Sequence, residues 1–474
     1  MRGLRWIGTA RTFAQLVTWG LTIVTVHILE PRDYGVVATS GLFTIFATML
    51  MDGGLSVVLV SRRELPVRMQ GAATTAVLLI SLVLAGTIIA IAPLGAELFN
   101  NSALVSVLRL ASLYLPLSAL SVVPSALLSR TLKFRELAIA QAGSSVLQGL
   151  VTLALAWSGA AYWSLIIGTL FGSAVRAALL WMSIKQKPVP NLELGTLRAS
   201  WLGSTQMLGQ RLVYFITQDF DTFMLGRLGG AATLGPYSLA KTLSHSVLDQ
   251  LGGIVNQVSI PAFAAKAGDD RAQLNGLLLM ISAVSTLVFP LFWLGCVLSK
   301  PALPLILGER WAPMIVPFMA FTFMLPFRSV FTLLDSSVVG TGRISTTFRN
   351  MLTWAGVMMP LLFIAAHFGA NWTAVSWCVG FPLVFLVSMV RIGRAFKSSL
   401  RGLLRPMRAP LLCSLASSIV VEAALAGLKP LAPLTVQLAA GLLLGGVCYG
   451  LLMRQYARDD FDTALNLLTR LLRS

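Results

Sequence analysis

Apolar runs of about 20 residues follow one another along almost the whole chain, the length an α-helix needs to cross the hydrocarbon core of a bilayer. Short polar or basic intervals separate them. The pattern predicts helices over 12–29, 36–58, 72–93, 106–128, 137–157, 164–184, 199–225, 236–260, 273–297, 313–333, 347–367, 373–390, 409–427 and 434–453, about fourteen spans in all. The widest interval between spans, 391–408, leaves no room for a soluble domain, so the expected class is an all-α polytopic membrane protein. The first run follows Arg2, Arg5 and Arg11 as a signal peptide would. It also contains Gln15, Trp19 and His27 and lacks a small-x-small cleavage site, so it reads as a retained helix.

The second half of the pattern repeats the first. At an offset of about 200 residues Gly35 falls on Gly235, Arg11 on Arg211 and Gly53 on Gly253. With about 10 residues more, Pro116 meets Pro326, Thr131-Leu132-Lys133 meets Thr341-Gly342-Arg343, and Gly159-Ala160-Ala161-Tyr162-Trp163 meets Gly369-Ala370-Asn371-Trp372-Thr373. The repeat divides the chain into two pseudo-symmetric six-helix lobes, 1–186 and 199–392, joined by a linker holding Pro188, Pro190 and Asn191. An extra helix pair and tail, 409–474, has no counterpart in either lobe. Each lobe holds an even number of helices, so the two should be related by an axis along the membrane normal.

Composition agrees. Of 474 residues 56% are hydrophobic and 11% charged, with mean hydropathy +0.80, whereas a water-facing surface needs about 25% charged residues. The net charge of +18 would fit a nucleic-acid binder, but its placement excludes that reading. With the loops numbered alternately, about 26 basic residues fall on one side and about 5 on the other. The rich side holds Arg62, Arg63, Arg68, Arg130, Lys133, Arg135, Lys185, Lys187, Arg198, the 391–408 cluster and both termini, and is therefore expected to be cytoplasmic. The excess charge is thus mainly topological, with contact to anionic membrane lipid as a lesser effect. Cys296, Cys378, Cys413 and Cys448 are far apart within or beside apolar runs and form no Cys-x-x-Cys, so neither a metal site nor a disulfide framework is expected.

Ionisable groups inside apolar spans are costly and usually face a bundle interior or water. Two neighbouring predicted helices concentrate them. Ser204, Met207, Arg211, Tyr214, Gln218 and Asp221 share one helical face, as do Lys241, His245, Asp249, Gly252, Asn256 and Ser259. These stripes read as the wall of an aqueous cavity, or alternatively as charge pairs joining helices, Arg211 with Asp219 or Asp221 and Lys241 with Asp249. The first repeat carries a milder version in Gln15, Thr18 and Thr22 and in Gly41, Thr44, Thr48 and Asp52. Arg176 fits either a cavity or snorkelling to the interface. No Gly-Lys pair exists, so there is no Walker A loop and no ATP hydrolysis is expected; no cofactor is implied. Asp219-Phe220-Asp221 lacks the nucleotide-binding domain that would make it a sugar-transferase motif. Asn371-Trp372-Thr373 reads as an interfacial aromatic anchor and not as a glycosylation site.

The stretch Leu29-Glu30-Pro31-Arg32-Asp33-Tyr34-Gly35-Val36-Val37-Ala38 followed by Asp52-Gly53-Gly54-Leu55 resembles the opening of bacterial polysaccharide exporters. Leu128-Ser129-Arg130-Thr131-Leu132-Lys133-Phe134-Arg135 and Gly159-Ala160-Ala161-Tyr162-Trp163-Ser164-Leu165 extend the likeness to the Wzx-type oligosaccharide flippases of the multidrug/oligosaccharidyl-lipid/polysaccharide (MOP) superfamily. The resemblance implies two six-helix lobes in a V. It also implies transfer of a polyprenyl-diphosphate-linked oligosaccharide from the cytoplasmic to the periplasmic leaflet of the inner membrane, with other polysaccharide assembly proteins as partners. Under it, Arg211, Lys241 and Arg176 would hold the diphosphate and Gln218, Tyr214, Asn256 and Gln15 the sugars. Asp221, Asp249, His245 and Asp52 would be the groups available for ion coupling. Two rivals stay open: a MATE-type cation antiporter, which would favour a more acidic cavity, and a membrane-embedded oligosaccharide polymerase, which would need a larger outer loop.

Overall fold

The computed structural model describes residues 2–52, 55, 59, 66–185, 187–192, 198–265, 269–429, 432–458 and 461–462. Side chains of 2–13, 198–212, 214, 249–262, 264–265 and 344 lie outside the described set. The chain divides into two compact units, Met1–Gly235 and Pro236–Ser474. In the first, α1 is Arg2–Ile28, α2 Pro31–Asp52, α3 Val67–Leu98, α4 Ala103–Ala111, α5 Tyr114–Arg130, α6 Phe134–Trp157 and α7 Tyr162–Ser183. The helical stretch α8, Arg198–Ala265, is broken by the non-helical backbone of Gly230 (φ 69°, ψ −178°). The second unit contains α9 (Asp270–Leu307), the 3-10 turn Glu309–Met314, α10 (Ile315–Gly340), α11 (Ile344–Ala366), α12 (Ala370–Ala395), α13 (Leu400–Leu428) and α14 (Leu434–Tyr456). Among the described residues eleven helices are long and apolar enough to cross a membrane, and Ala14–Ile28 is a shorter apolar one. The fourteen expected spans add to these α1 and the two segments of α8, much of whose side-chain detail lies outside the described residues.

Several helices start earlier or break where periodicity shows nothing. The span expected from residue 36 begins at Pro31. Proline suits a first helical position because its missing N–H would be unpaired there anyway, and the Asp33 carboxylate accepts from the Glu30 N–H at 2.9 Å. A polar Pro-Arg-Asp that reads as loop is therefore the first turn of α2. The single span expected over 106–128 is two segments, α4 and α5, with a turn at Ser112–Leu113.

The internal repeat is visible in individual hydrogen bonds. After α5, Thr131, Leu132 and Lys133 donate their N–H groups to Leu127, Ser129 and Leu128 at 3.1, 3.1 and 2.9 Å. After α10, Thr341, Gly342 and Arg343 donate to Ser337, Val339 and Val338 at 3.1, 3.0 and 3.0 Å. The central residue of each turn is left-handed, Leu132 at φ 56° and Gly342 at φ 75°. Gly159 and Gly369, also paired by the repeat, have φ 83° and 94°.

The repeat partners Gly35 and Gly235 also touch. A methyl group on Gly35 would overlap the Ala231 carbonyl, and one on Gly235 the Pro31 carbonyl. The contact is reciprocal: each glycine receives the carbonyl found four residues before the other. Both glycines are buried.

In the second unit α13 and α14 pack on α9. Gly441 and Gly445 receive the side chains of Leu298 and Leu294, and Ser417 Oγ donates to the Gly445 carbonyl at 2.9 Å. The Tyr449 hydroxyl donates to the Thr286 carbonyl at 2.7 Å, and Lys300 pairs with Glu422.

Candidate functional site

Polar side chains from four helices of the first unit meet around a cavity of about 480 Å³. α2 contributes Thr48 and Asp52, α5 contributes Tyr114, Ser118, Ser121 and Ser125, α7 contributes Arg176, and the first segment of α8 contributes Gln218 and Asp219. Ile45, Met49, Met51, Val122 and Phe215 complete the wall, and Phe46 of α2 packs against Phe215 of α8 at 5.3 Å between ring centroids.

The α5 residues stand at 114, 118, 121 and 125, spacings of 4, 3 and 4 that align them along one helical face. Ser125 Oγ donates back to the Val122 carbonyl at 2.9 Å. Ser121 Oγ is buried and has no hydrogen-bond partner among the described residues. A buried hydroxyl left so is costly, and a hydroxyl-bearing ligand would satisfy it. Arg176 is exposed and has no hydrogen-bonding partner among the described residues. The cavity thus combines one cation, two carboxylates, an amide and several hydroxyls, a set of donors and acceptors suited to a hydroxyl-bearing ligand.

Of the residues singled out from sequence, Asp52, Arg176 and Gln218 come together here. Gln15 is half-buried on α1 and does not line this cavity. Asp221 is fully buried, its Oδ1 accepting from Thr222 N at 2.7 Å and Thr222 Oγ1 at 3.3 Å. The side chains of Arg211, Tyr214, Asp249 and Asn256 lie outside the described residues. Lys241 and His245 belong to the second unit. Arg328 Nη1 donates to His245 Nε2 at 3.1 Å, which leaves Nδ1 to donate to the Lys241 carbonyl at 2.9 Å. Sequence reading missed Tyr114, Ser118, Ser121 and Ser125 as a group, although their spacing was available, and it set Asp219 aside as a pairing partner.

A family model described as polysaccharide biosynthesis protein matches residues 24–316. The chain belongs to that family. The polysaccharide biosynthesis family match agrees with the Wzx-type resemblance carried by the chain's own motifs. The lipopolysaccharide biosynthesis protein WzxC of Escherichia coli (strain K12) is 24% identical over 405 residues, covering 82% of this chain and 79% of WzxC. The succinoglycan biosynthesis transport protein ExoT of Rhizobium meliloti (strain 1021) is 27% identical over 299 residues, and the match spans 62% of this chain and 60% of ExoT. Among solved structures, the lipid II flippase MurJ in an inward closed conformation superposes with a TM-score of 0.75 at 14% identity, covering 96% of this chain and 99% of MurJ. An inward-facing MATE family multidrug transporter of the MOP superfamily gives 0.55 at 16% identity, covering 82% and 95%. At these identities the structural likeness fixes the fold: a multi-pass helical membrane protein of the MurJ and MATE type.

Proposed function

We propose that this protein is a flippase, and not an enzyme, which moves a polyprenyl-diphosphate-linked oligosaccharide from the cytoplasmic to the periplasmic leaflet of the bacterial inner membrane by alternating access. The observation that carries this reading is the cavity of the first unit, where the Arg176 guanidinium, unpaired among the described residues, stands with Asp52 and Asp219 among serine, threonine, tyrosine and glutamine side chains. Sugar hydroxyls find matched donors and acceptors there, and a diphosphate oxygen finds Arg176. The names of ExoT and WzxC, which concern polysaccharide biosynthesis and its transport, point the same way. The MATE alternative shares the fold, but the family match favours polysaccharide export.

In this reading 1–186 and 199–392 act as the two lobes and 409–474 as an added helix pair and tail. In the cavity of the first unit Arg176 holds the diphosphate and Gln218 meets the sugars; Arg211 and Lys241 are further candidates for the diphosphate, and Gln15, Tyr214 and Asn256 for the sugars. Asp52, Asp221, Asp249 or His245 provide coupling to an ion. Outward movement of each negative charge is favoured by about 2.3 kcal/mol per 100 mV of inside-negative potential. The direct test uses purified protein in vesicles loaded with a labelled polyprenyl-diphosphate sugar. Label should cross the bilayer without ATP and no glycosidic bond should form; polymer made by this chain alone would overturn the reading in favour of an enzyme.

Topology gives a separate expectation. Single cysteines in the basic segments 129–136 and 391–408 should be labelled only from the cytoplasmic side. Pro301, expected in an outer loop, is buried within α9, so the outer probe is a cysteine at the exposed Arg310, labelled only from the periplasm. Outside labelling of either basic segment would reverse the orientation.

A further inference from the structure

A second crevice of the first unit, about 370 Å³, opens where α5 and α7 end. It is lined by Gln70, Arg130, Thr131, Lys133 and Lys185 with Leu127, Leu128 and Ile184. Three cations converge on it, and among the described residues no carboxylate lines it. It is distinct from the cavity of Asp52 and Arg176, with which it shares no residue.

The internal repeat shows what occupies the equivalent place in the second unit. Lys133 corresponds to Arg343, in turns that match hydrogen bond for hydrogen bond. Lys185 stands two residues beyond the end of α7, as Lys397 does beyond α12. The helices α3 and α9 begin at Val67 and Asp270, so Asp270 corresponds to Val67, and Gln70 of Arg68-Met69-Gln70 to Gln273 of Arg271-Ala272-Gln273. In the second unit Asp270 is the shared counter-ion: Lys397 Nζ lies 2.7 Å from its Oδ2 and Arg343 Nη2 3.9 Å from its Oδ1. The first unit keeps the two cations without that carboxylate: Val67 stands at its position, and the neutral Gln70 lines the crevice. Lys133 and Lys185 have no ion-pair partner among the described residues.

We infer that the Lys133–Lys185 crevice binds a phosphate-bearing anion, whose oxygens take the place held by the Asp270 carboxylate in the other repeat. Two lysine ammonium groups and the Gln70 amide offer donors suited to phosphate oxygens, and the volume admits a phosphate or diphosphate group. Two sources present that chemistry beside a basic membrane face, a phospholipid headgroup and the diphosphate of a lipid-linked sugar. The inference concerns binding alone and does not depend on the transport reading.

The test uses full-length protein in phosphatidylcholine nanodiscs, titrated with inorganic diphosphate by calorimetry. One saturable site is expected, weakened about tenfold or more by Lys133→Gln and by Lys185→Gln, while Lys133→Arg keeps most of the affinity. Gln70→Asp should abolish binding by supplying the internal counter-ion, and Gln70→Asn should stay within about threefold of wild type. Polyprenyl diphosphate and phosphatidylglycerol, added separately at equal mole fraction, identify the natural source by which of them displaces the inorganic probe. If none of the three binds saturably to wild type, or if a folded Gln70→Asp variant binds diphosphate as tightly as wild type, the site does not exist.

Discussion

Replacing Gly35 by alanine should leave little or no folded protein in the membrane, and Gly235→Ala should do the same. The methyl group would be driven into a backbone carbonyl, Ala231 in one case and Pro31 in the other. A side chain in the way could turn aside; a carbonyl inside a helix moves only if the whole helix shifts. Overpacking in a tight core costs about 1–3 kcal/mol and more where nothing can yield. Here the two helix starts would have to separate, losing the close packing that stands in for hydrophobic attraction within a bilayer. Gly20→Ala and Gly86→Ala are the controls, since a methyl at either meets no atom within 4 Å. Detergent-extracted yield and thermal stability check the prediction. Wild-type behaviour of Gly35→Ala would mean that the approach of α2 to residues 231–235 is not part of the native packing.

Arg176→Ala should abolish export and leave abundance nearly unchanged. Arg176 is exposed and unpaired among the described residues, so removing it strands no buried partner and costs little stability. Its loss removes the only cation lining the cavity among the described residues and leaves two carboxylates, Asp52 and Asp219, on the wall that meets an anionic ligand. A charge-assisted bond is worth about 1.5–3 kcal/mol, roughly a ten- to hundredfold loss of affinity. Arg176→Lys should recover part of the activity, because the charge returns without the planar fork. Polymer export from a deletion strain, set against protein level in the membrane, measures both. Undiminished export by Arg176→Ala would remove this cavity from the substrate path.

The sequence made the helical class and the repeat plain because a bilayer demands long apolar runs and because duplicated turns keep their residues. Gly35 and Gly235 stood out as landmarks, yet the periodicity of each helix alone could not reveal that they touch. The Gly230 break and the division of α4 from α5 depend on local backbone angles, and Ser112 and Leu113 carry no turn signature. The cavity was legible in part. Asp52, Arg176 and Gln218 are long or charged and conspicuous in apolar runs. Ser118, Ser121 and Ser125 are small and common in membrane helices, where their hydroxyls usually bond to the preceding turn, and only the burial of Ser121 separates it from that background. Asp219 and Asp221 lie two residues apart, hence on nearly opposite sides of a helix, and the polar stripe selected the one that packs inward over the one that lines the cavity.

The attachment of the last two helices to α9 has a consequence peculiar to its solvent. In water, uncovering Leu294 and Leu298 would expose oil to a hostile medium; in a bilayer, lipid tails would greet them almost as well as α14 does. What holds α13 and α14 in place is therefore fit and polarity: glycines that admit leucines closely, a serine and a tyrosine that reach carbonyls, and one ion pair. Such a seam is specific in shape but weak in bulk, so lipids of the right form can compete for it, and the composition of the surrounding membrane becomes a partner in this protein's architecture.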